Sequence, residues 1–399
     1  MPVSTGGPVP VGRLIPMGGP GPMGYSIRIT EEIVKKLTWR NEGDDKGDKI
    51  LVIRDLQLKK MKRIKPKSPM QPIGLLDTLP LEILLCIFEY LDFQSLLRFT
   101  QVCLRAKLTV ESMPAYAEMR RHAGEALMAL GETRLLRYHS AALLRQTLRS
   151  PHCVSCFDFG GFLFLPTCER VCFECMHKNR GLHMMTLNMA KKCFDLTDKQ
   201  LKSIPTLYSI PNTYNVNHFI SRKRMVRLVC AKQVKMLALR IHGPQNLAKL
   251  IPWVPPRGIE RNSVVTKEYW MLRGFHEAPL APIGRHLSML PINLDLPDDD
   301  YGGMASVRMP YLNNKGHRER GRICRGCRLI VDLYAKDQLP PHVIRSLVPP
   351  GVPKFLPLVG HMYRMRSEGG FQHHICWCFG VKKLLTQWGY VPKPQVKES

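Results

Sequence analysis

LLDTLPLEILLCIFEYLDFQSLLRFTQVC, running from Leu75 to Cys103, decides how the first half of the chain folds. Thr78 is placed to accept from backbone donors at a helix start, and Pro80 in the first turn gives up an amide that has no partner there anyway. Ile83, Leu84, Ile87, Phe88 and Leu91 then recur at helical spacing, which predicts a broad apolar stripe on one side of a helix. Asp92 is placed to end that helix and cap a second one. The second helix is expected to bury Leu96, Leu97 and Val102, each contributing roughly 1.5–3 kcal/mol when fully removed from water. Helices this short cannot bury such stripes against each other alone, so a third element or a partner is needed.

Working outward, Ile73 to Ser150 is rich in helix formers with apolar residues at helical spacing and reads as several consecutive helices. From His152 onward the texture changes to cysteine pairs, aromatic residues and Pro-broken segments. The predicted class is α+β, mainly α: a three-helix unit over 73–120, a helical connector over 121–150, and a cysteine-rich module with short β-hairpins over 151–399. Upstream, more than half of residues 1–24 are Gly or Pro, which predicts a flexible tail. Residues 25–72 form a basic linker holding a short helical pattern, TEEIVKKLTW, and a strand-like run, KILVIRDLQL. The run KKMKRIKPK at Lys59–Lys67 carries six cations and no acid, which suits a nuclear-import signal, an anion-binding linker or a solvated connector. Pro252 to Pro310 is predicted to be loop-dominated, and its acids Asp295, Asp298, Asp299 and Asp300 read as a solvated turn rather than a cation site.

With 399 residues, 44% of them apolar, the chain has room for two or three packed domains. Its formal charge of +27 draws anionic partners, whether nucleic acid, acidic protein or anionic lipid. No run approaches the roughly 20 apolar residues that cross a bilayer, and the start lacks the apolar core of a signal peptide, so no membrane partner is expected. The expected compartments are the nucleus and cytoplasm. There, thirteen cysteines are better read as metal ligands and small buried hydrophobes than as disulfides.

In HCVSCFDFGGFLFLPTCERVCFEC, Cys153, Cys156, Cys172 and Cys175 form two C-x2-C knuckles around a Phe/Leu hairpin, the spacing of a tetrahedral structural zinc site. Cys168 ranks as a spare thiol. Downstream, Cys324 and Cys327 in RICRGCRL pair with His374 and Cys378 in HHICWCFG as a second C-x2-C plus H-x3-C site, with His373 and Cys376 as competing choices. A cross-braced eight-ligand module would need further ligands, and only His177 and His183 stand near the first set. Closed four-ligand sites leave no position for water, so structural zinc is the expected cofactor and no catalytic residue is assigned.

Leu79, Pro80, Glu82 to Leu84, Ile87, Phe88, Tyr90 to Asp92, Leu96 and Leu97 together resemble the F-box family motif. The family's usual Trp after the Val-Cys pair is absent, with Ala106 and Lys107 in its place. The resemblance implies a three-helix F-box that binds the adaptor of an SCF-type ubiquitin ligase, and through it a cullin scaffold. It assigns adaptor binding to Leu79, Pro80, Ile83, Leu84, Ile87, Phe88, Leu91, Leu96 and Leu97. With the downstream FGGFLFLP, RVCFEC and CRGC stretches, the chain looks like a group of fungal F-box proteins, and the cysteine-rich module would then recruit an unknown protein for ubiquitination without catalysing a step itself. The alternative is a zinc-stabilised nucleic-acid-binding protein, on the strength of the basic runs SRKRMVR (Ser221–Arg227) and KGHRERGRICRGCR (Lys315–Arg328).

Overall fold

The computed structural model describes residues 14–17, 25–39, 73–215, 219–250, 263–290 and 301–390. The basic run Lys59–Lys67, the KILVIRDLQL stretch and the acidic cluster Asp295–Asp300 lie outside them. The described chain is mainly helical with small antiparallel sheets, as the sequence predicts. No helix among these residues is long and apolar enough to cross a membrane.

A 3-10 turn, Gly74–Thr78, opens the first unit, and Asp77 fixes it by accepting from the Ile73 amide at 2.6 Å. Thr78 does not cap the helix that follows. Its hydroxyl donates to the Leu75 carbonyl at 2.8 Å, closing the 3-10 turn, and Pro80 itself is the N-cap of the helix Leu81–Tyr90. Asp92 behaves as expected: its carboxylate accepts from the Ser95 amide at 2.8 Å and starts the helix Phe93–Phe99. The third helix, Leu104–Ser112, forms with the small Ala106 fully buried, and Arg105 ties it back to Asp77 at 3.0 Å.

Three further helices, Pro114–His122, Gly124–Glu132 and Ala141–Arg149, pack back onto this unit. The Phe93 amide donates to the His139 carbonyl and the Ala141 amide to the Leu91 carbonyl, so two helix starts are stitched together. Phe93 stacks on Tyr116 with centroids 5.0 Å apart, and Phe88 meets Phe99 edge-on at 4.9 Å. One apolar cluster runs without a break from Leu84 and Phe88 through Tyr116 and Leu148 to Phe162, Phe164 and Val307.

The Phe/Leu hairpin forms as expected: Phe162–Phe164 pairs antiparallel with Glu169–Val171 on one side and with Ser306–Arg308 on the other. Arg170 pins this sheet from inside, donating to the carbonyls of Gly160 (2.7 Å), Pro310 (2.8 Å), Met309 (2.9 Å) and Thr147 (3.2 Å). A second small sheet places Arg227–Cys230 between Met184–Thr186 and Leu207–Tyr208. Within the stretch predicted to be loop-dominated, Val264–His276 is instead a 13-residue helix capped by Ser263. The prolines that prompted that expectation flank this stretch rather than interrupt it.

The C-terminal unit gathers the helices Arg325–Ala335, Phe355–Tyr363, Glu368–Trp377 and Phe379–Gln387. The helix Glu31–Leu37, from the segment read as a basic linker, is part of it: Ile33, Val34 and Leu37 share its core with Phe371, Ile375 and Leu385. The Trp39 amide donates to the Ile323 carbonyl at 2.9 Å, and Arg328 sits 4.6 Å over the Trp39 ring. Leu14–Met17, inside the stretch predicted to be a tail, pairs antiparallel with Tyr25–Arg28, so the ladder offsets the ordering entropy there.

Candidate functional sites: an exposed helix face and two metal centres

The apolar residues of Leu81–Tyr90 divide between two neighbouring stripes. Leu84 and Phe88, one helical turn apart, are 4% and 3% exposed and lie in the core. Ile83 and Ile87 remain 50% and 46% exposed, joined by Leu79, Pro80, Leu81 and Tyr90. Leu84, Phe88 and Leu96, three of the adaptor contacts expected from the resemblance, are instead buried in the core formed with the helices of 114–148. Leu91 and Leu97 are half-buried at its margin. Val102, expected in the core, lies beyond the second helix and is 66% exposed. Leu81 and Tyr90 were not among the predicted contacts. The i, i+4, i+7 relation of Ile83, Ile87 and Tyr90 was the available signal, but the motif does not say which stripe the following helices cover.

Cys153, Cys156, Cys172 and Cys175 converge, their sulfurs mutually within 4.8 Å and all four residues buried. Each knuckle is shaped by its own backbone: the Ser155 amide donates to the Cys153 sulfur and the Cys175 amide to that of Cys172, which caps the helix Phe173–Lys178. Sulfurs about 2.3 Å from one tetrahedral ion stand about 3.8 Å apart. Cys156 and Cys172 are 3.7 Å apart. As thiols the four compete for charge: hydrogen bonding with Cys153 holds Cys156 low, whereas Cys153 and Cys156 push Cys172 well up. A dication resolves that competition, so the set fits zinc. Cys168 stands apart with φ +55°, and burial pushes its thiol up to about 12.

Around this site lies a partly buried ionic network that no sequence pattern foreshadows. His286, from a distant turn, is 2.6 Å from Asp158 and 3.1 Å from Glu174, and groups with Cys156 and Asp158. Burial works against its charge, but Asp158, Cys156 and Glu174 outweigh it and raise the imidazole to about 11. Glu174, buried between two ligands, accepts from the Ser288 amide at 2.7 Å. These contacts orient the knuckles and offset the thiolate charge. His177 and His183 do not join a candidate metal group among the described residues; His183 Nε2 meets the His177 carbonyl at 2.7 Å.

The second set converges as well. Cys324 caps the helix Arg325–Ala335, Cys327 lies in its first turn, and both meet His374 and Cys378. Cys327 is 3.2 Å from His374 Nε2, and Cys324 is 4.0 Å from Cys378. His374 and Cys378 do not ride one continuous helix: the helix ends at Trp377 and Cys378 caps the next one, although its amide still donates to the His374 carbonyl. His373 and Cys376, the competing choices, stay outside the group, Cys376 donating to the Gln372 carbonyl. Three thiols and an imidazole fit zinc, and like the first set they close the coordination sphere.

Residues 76–106 match the family model of F-box-like domains, spanning the 3-10 turn to the start of the third helix. The chain thus carries an F-box-like segment over these residues. No curated protein and no solved structure matches the chain.

Proposed function

We propose that this chain is a substrate receptor of an SCF-type ubiquitin ligase that works in the nucleus and cytoplasm. Ile83, Ile87, Leu79, Pro80 and Tyr90 dock the adaptor, and the cysteine-rich residues beyond 151 hold a target protein. The observation that carries this reading is the exposed pair Ile83 and Ile87 on a folded helix inside the F-box-like match. Burying that face against a partner would remove from water the apolar surface the chain itself leaves open. The continuous core from the F-box to the three-stranded sheet supports rigid presentation, in which rate comes from proximity. Zinc in the four-cysteine site and in the site of three cysteines and a histidine is structural and takes no part in the transfer.

The test is capture of recombinant adaptor by the full chain. The double substitution Ile83→Asp/Ile87→Asp should abolish capture while leaving the unfolding temperature nearly unchanged. Undiminished capture would overturn the reading.

A further inference from the structure

The longest acid-free stretch of the chain lies outside the F-box-like match. Between Lys199 and Ile259 there are eleven Lys and Arg residues and no Asp or Glu. The fold concentrates part of that charge on one face. In the sheet of Leu207–Tyr208 and Arg227–Cys230, Leu207 opposes Leu228 and both are fully buried, so Tyr208 and its partner Arg227 share the outward face. The Tyr208 amide donates to the Thr133 carbonyl at 3.1 Å, which brings the 133–138 loop alongside. From that loop the Arg134 guanidinium lies 4.3 Å over the Tyr208 ring. Arg137 in the same loop lies 4.8 Å from the Tyr138 ring centroid and donates to its hydroxyl at 2.8 Å. Ser209 holds the strand's other end by exchanging hydrogen bonds with Val226, which leaves Lys223, Arg224 and Met225 exposed just before it.

None of Arg134, Arg137, Lys223, Arg224 or Arg227 meets a carboxylate among the described residues, whereas Arg105, Arg145, Arg149, Arg273 and Arg322 all do. Glu132 is the one acid in the adjoining 131–139 segment. A guanidinium laid on an aromatic ring is ordered without being neutralised: its N–H edge stays free for an anion and its outer face for a flat group. An acidic polypeptide would satisfy the charge but leave the flat faces unused. A single-stranded polynucleotide uses both, with phosphates on the cations and bases on the stacked Arg–Tyr pairs, and its base faces are open as those of a duplex are not.

We propose that the face formed by Arg134, Tyr208 and Arg227, extended by Arg224 and Lys223, binds single-stranded nucleic acid. The proposal stands whether or not the adaptor docks on the F-box face, which belongs to other elements.

The test is fluorescence anisotropy of the full chain with a labelled oligo(dT) or oligo(U) 20-mer, the matching duplex, and a glutamate 20-mer as competitor. Arg134→Ala/Arg227→Ala should weaken single-strand binding about ten-fold or more and flatten the salt dependence by about 0.7 in log–log slope per lost phosphate contact. Tyr208→Leu, which keeps the strand, should weaken it several-fold. Lys336→Ala/Lys354→Ala, removing equal charge from the C-terminal unit, should change it less than about two-fold. Equal binding of the duplex, displacement by the glutamate peptide at matched charge, or an Arg134→Ala/Arg227→Ala variant that binds like the parent would each overturn the proposal.

Discussion

Ile83 and Leu84 are adjacent in sequence and opposite in burial, so truncating each should have very different costs in stability. Leu84→Ala empties a site within the core and should cost about 2–5 kcal/mol, read from urea unfolding. Ile83→Ala loses half-exposed surface and should stay within about 0.5 kcal/mol. Equal costs would mean that the stripe assignment is wrong. The sequence shows that both are apolar at helical spacing, but which is covered depends on Tyr116, Met119 and Leu144, three to five helices further along the chain, and local periodicity carries no information about them. Glu118 is a similar case. It accepts from Arg149 at 2.6 Å and from Arg145 at 3.2 Å, joining Pro114–His122 to Ala141–Arg149. Hydrogen bonding with Arg149 holds its carboxyl below the usual range, against the opposing effect of burial. A depressed folded value means that its contribution is fully present above the ordinary Glu pKa near 4.3 and is lost as pH falls through the folded value. Glu118→Gln should therefore cost about 2 kcal/mol near neutral pH and less in acid. An equal loss at pH 7 and pH 3 would refute the charged role.

At the scale of elements, helix ends rather than helix faces assemble the candidate metal centres. Cys172, Cys324 and Cys378 all stand at N-caps, where the chain turns sharply and sulfurs from separate helices can meet. In the site that includes His374, that meeting depends on two glycines. A Cβ on Gly380 would sit 1.9 Å from the Gly326 carbonyl oxygen, and one on Gly326 would sit 2.4 Å from the Val381 nitrogen. Both obstacles are backbone, so neither can swing aside, and parting the helices would draw Cys378 away from Cys324. Gly380→Ala should cost at least the 1–3 kcal/mol typical of roughly one added methyl in a tight core and remove about one zinc equivalent per chain. Full zinc retention in this variant would show that the helix ends can part. The C-x2-C halves of both sites were legible because knuckle geometry is local. His374 and Cys378 were legible too, as residues four apart, but what excludes His373 and Cys376 was not, because the helix ends at Trp377 and that turn sets which side chains face inward.

For the whole molecule, the two candidate metal centres belong to different cores, and this sets what each can affect. The four ligands of the first centre, Cys153, Cys156, Cys172 and Cys175, lie in the apolar cluster that also contains Leu84, Phe88 and Leu96, so the platform beneath the F-box helices is continuous with that site. The thiols of the second centre, Cys324, Cys327 and Cys378, lie in the cluster built by Ile33, Leu37, Phe371 and Leu385, which draws the N-terminal helix into the C-terminal unit. No sequence pattern announced that pairing, since the residues that meet are separated by most of the chain. Protein purified without chelator should carry about two zinc ions, and both Cys172→Ser and Cys378→Ser should lower this to about one. Their effects on docking should differ. Losing the four-cysteine site removes the metal from the core on which the helix Leu81–Tyr90 rests, so Cys172→Ser should lower both the unfolding temperature of the F-box helices and adaptor capture. Cys378→Ser should release the Glu31–Leu37 helix, seen as faster amide exchange there, while capture persists. If Cys378→Ser abolished capture and Cys172→Ser spared it, the two cores would be coupled in the opposite sense, and the rigid link between the F-box and the first metal centre would have to be abandoned.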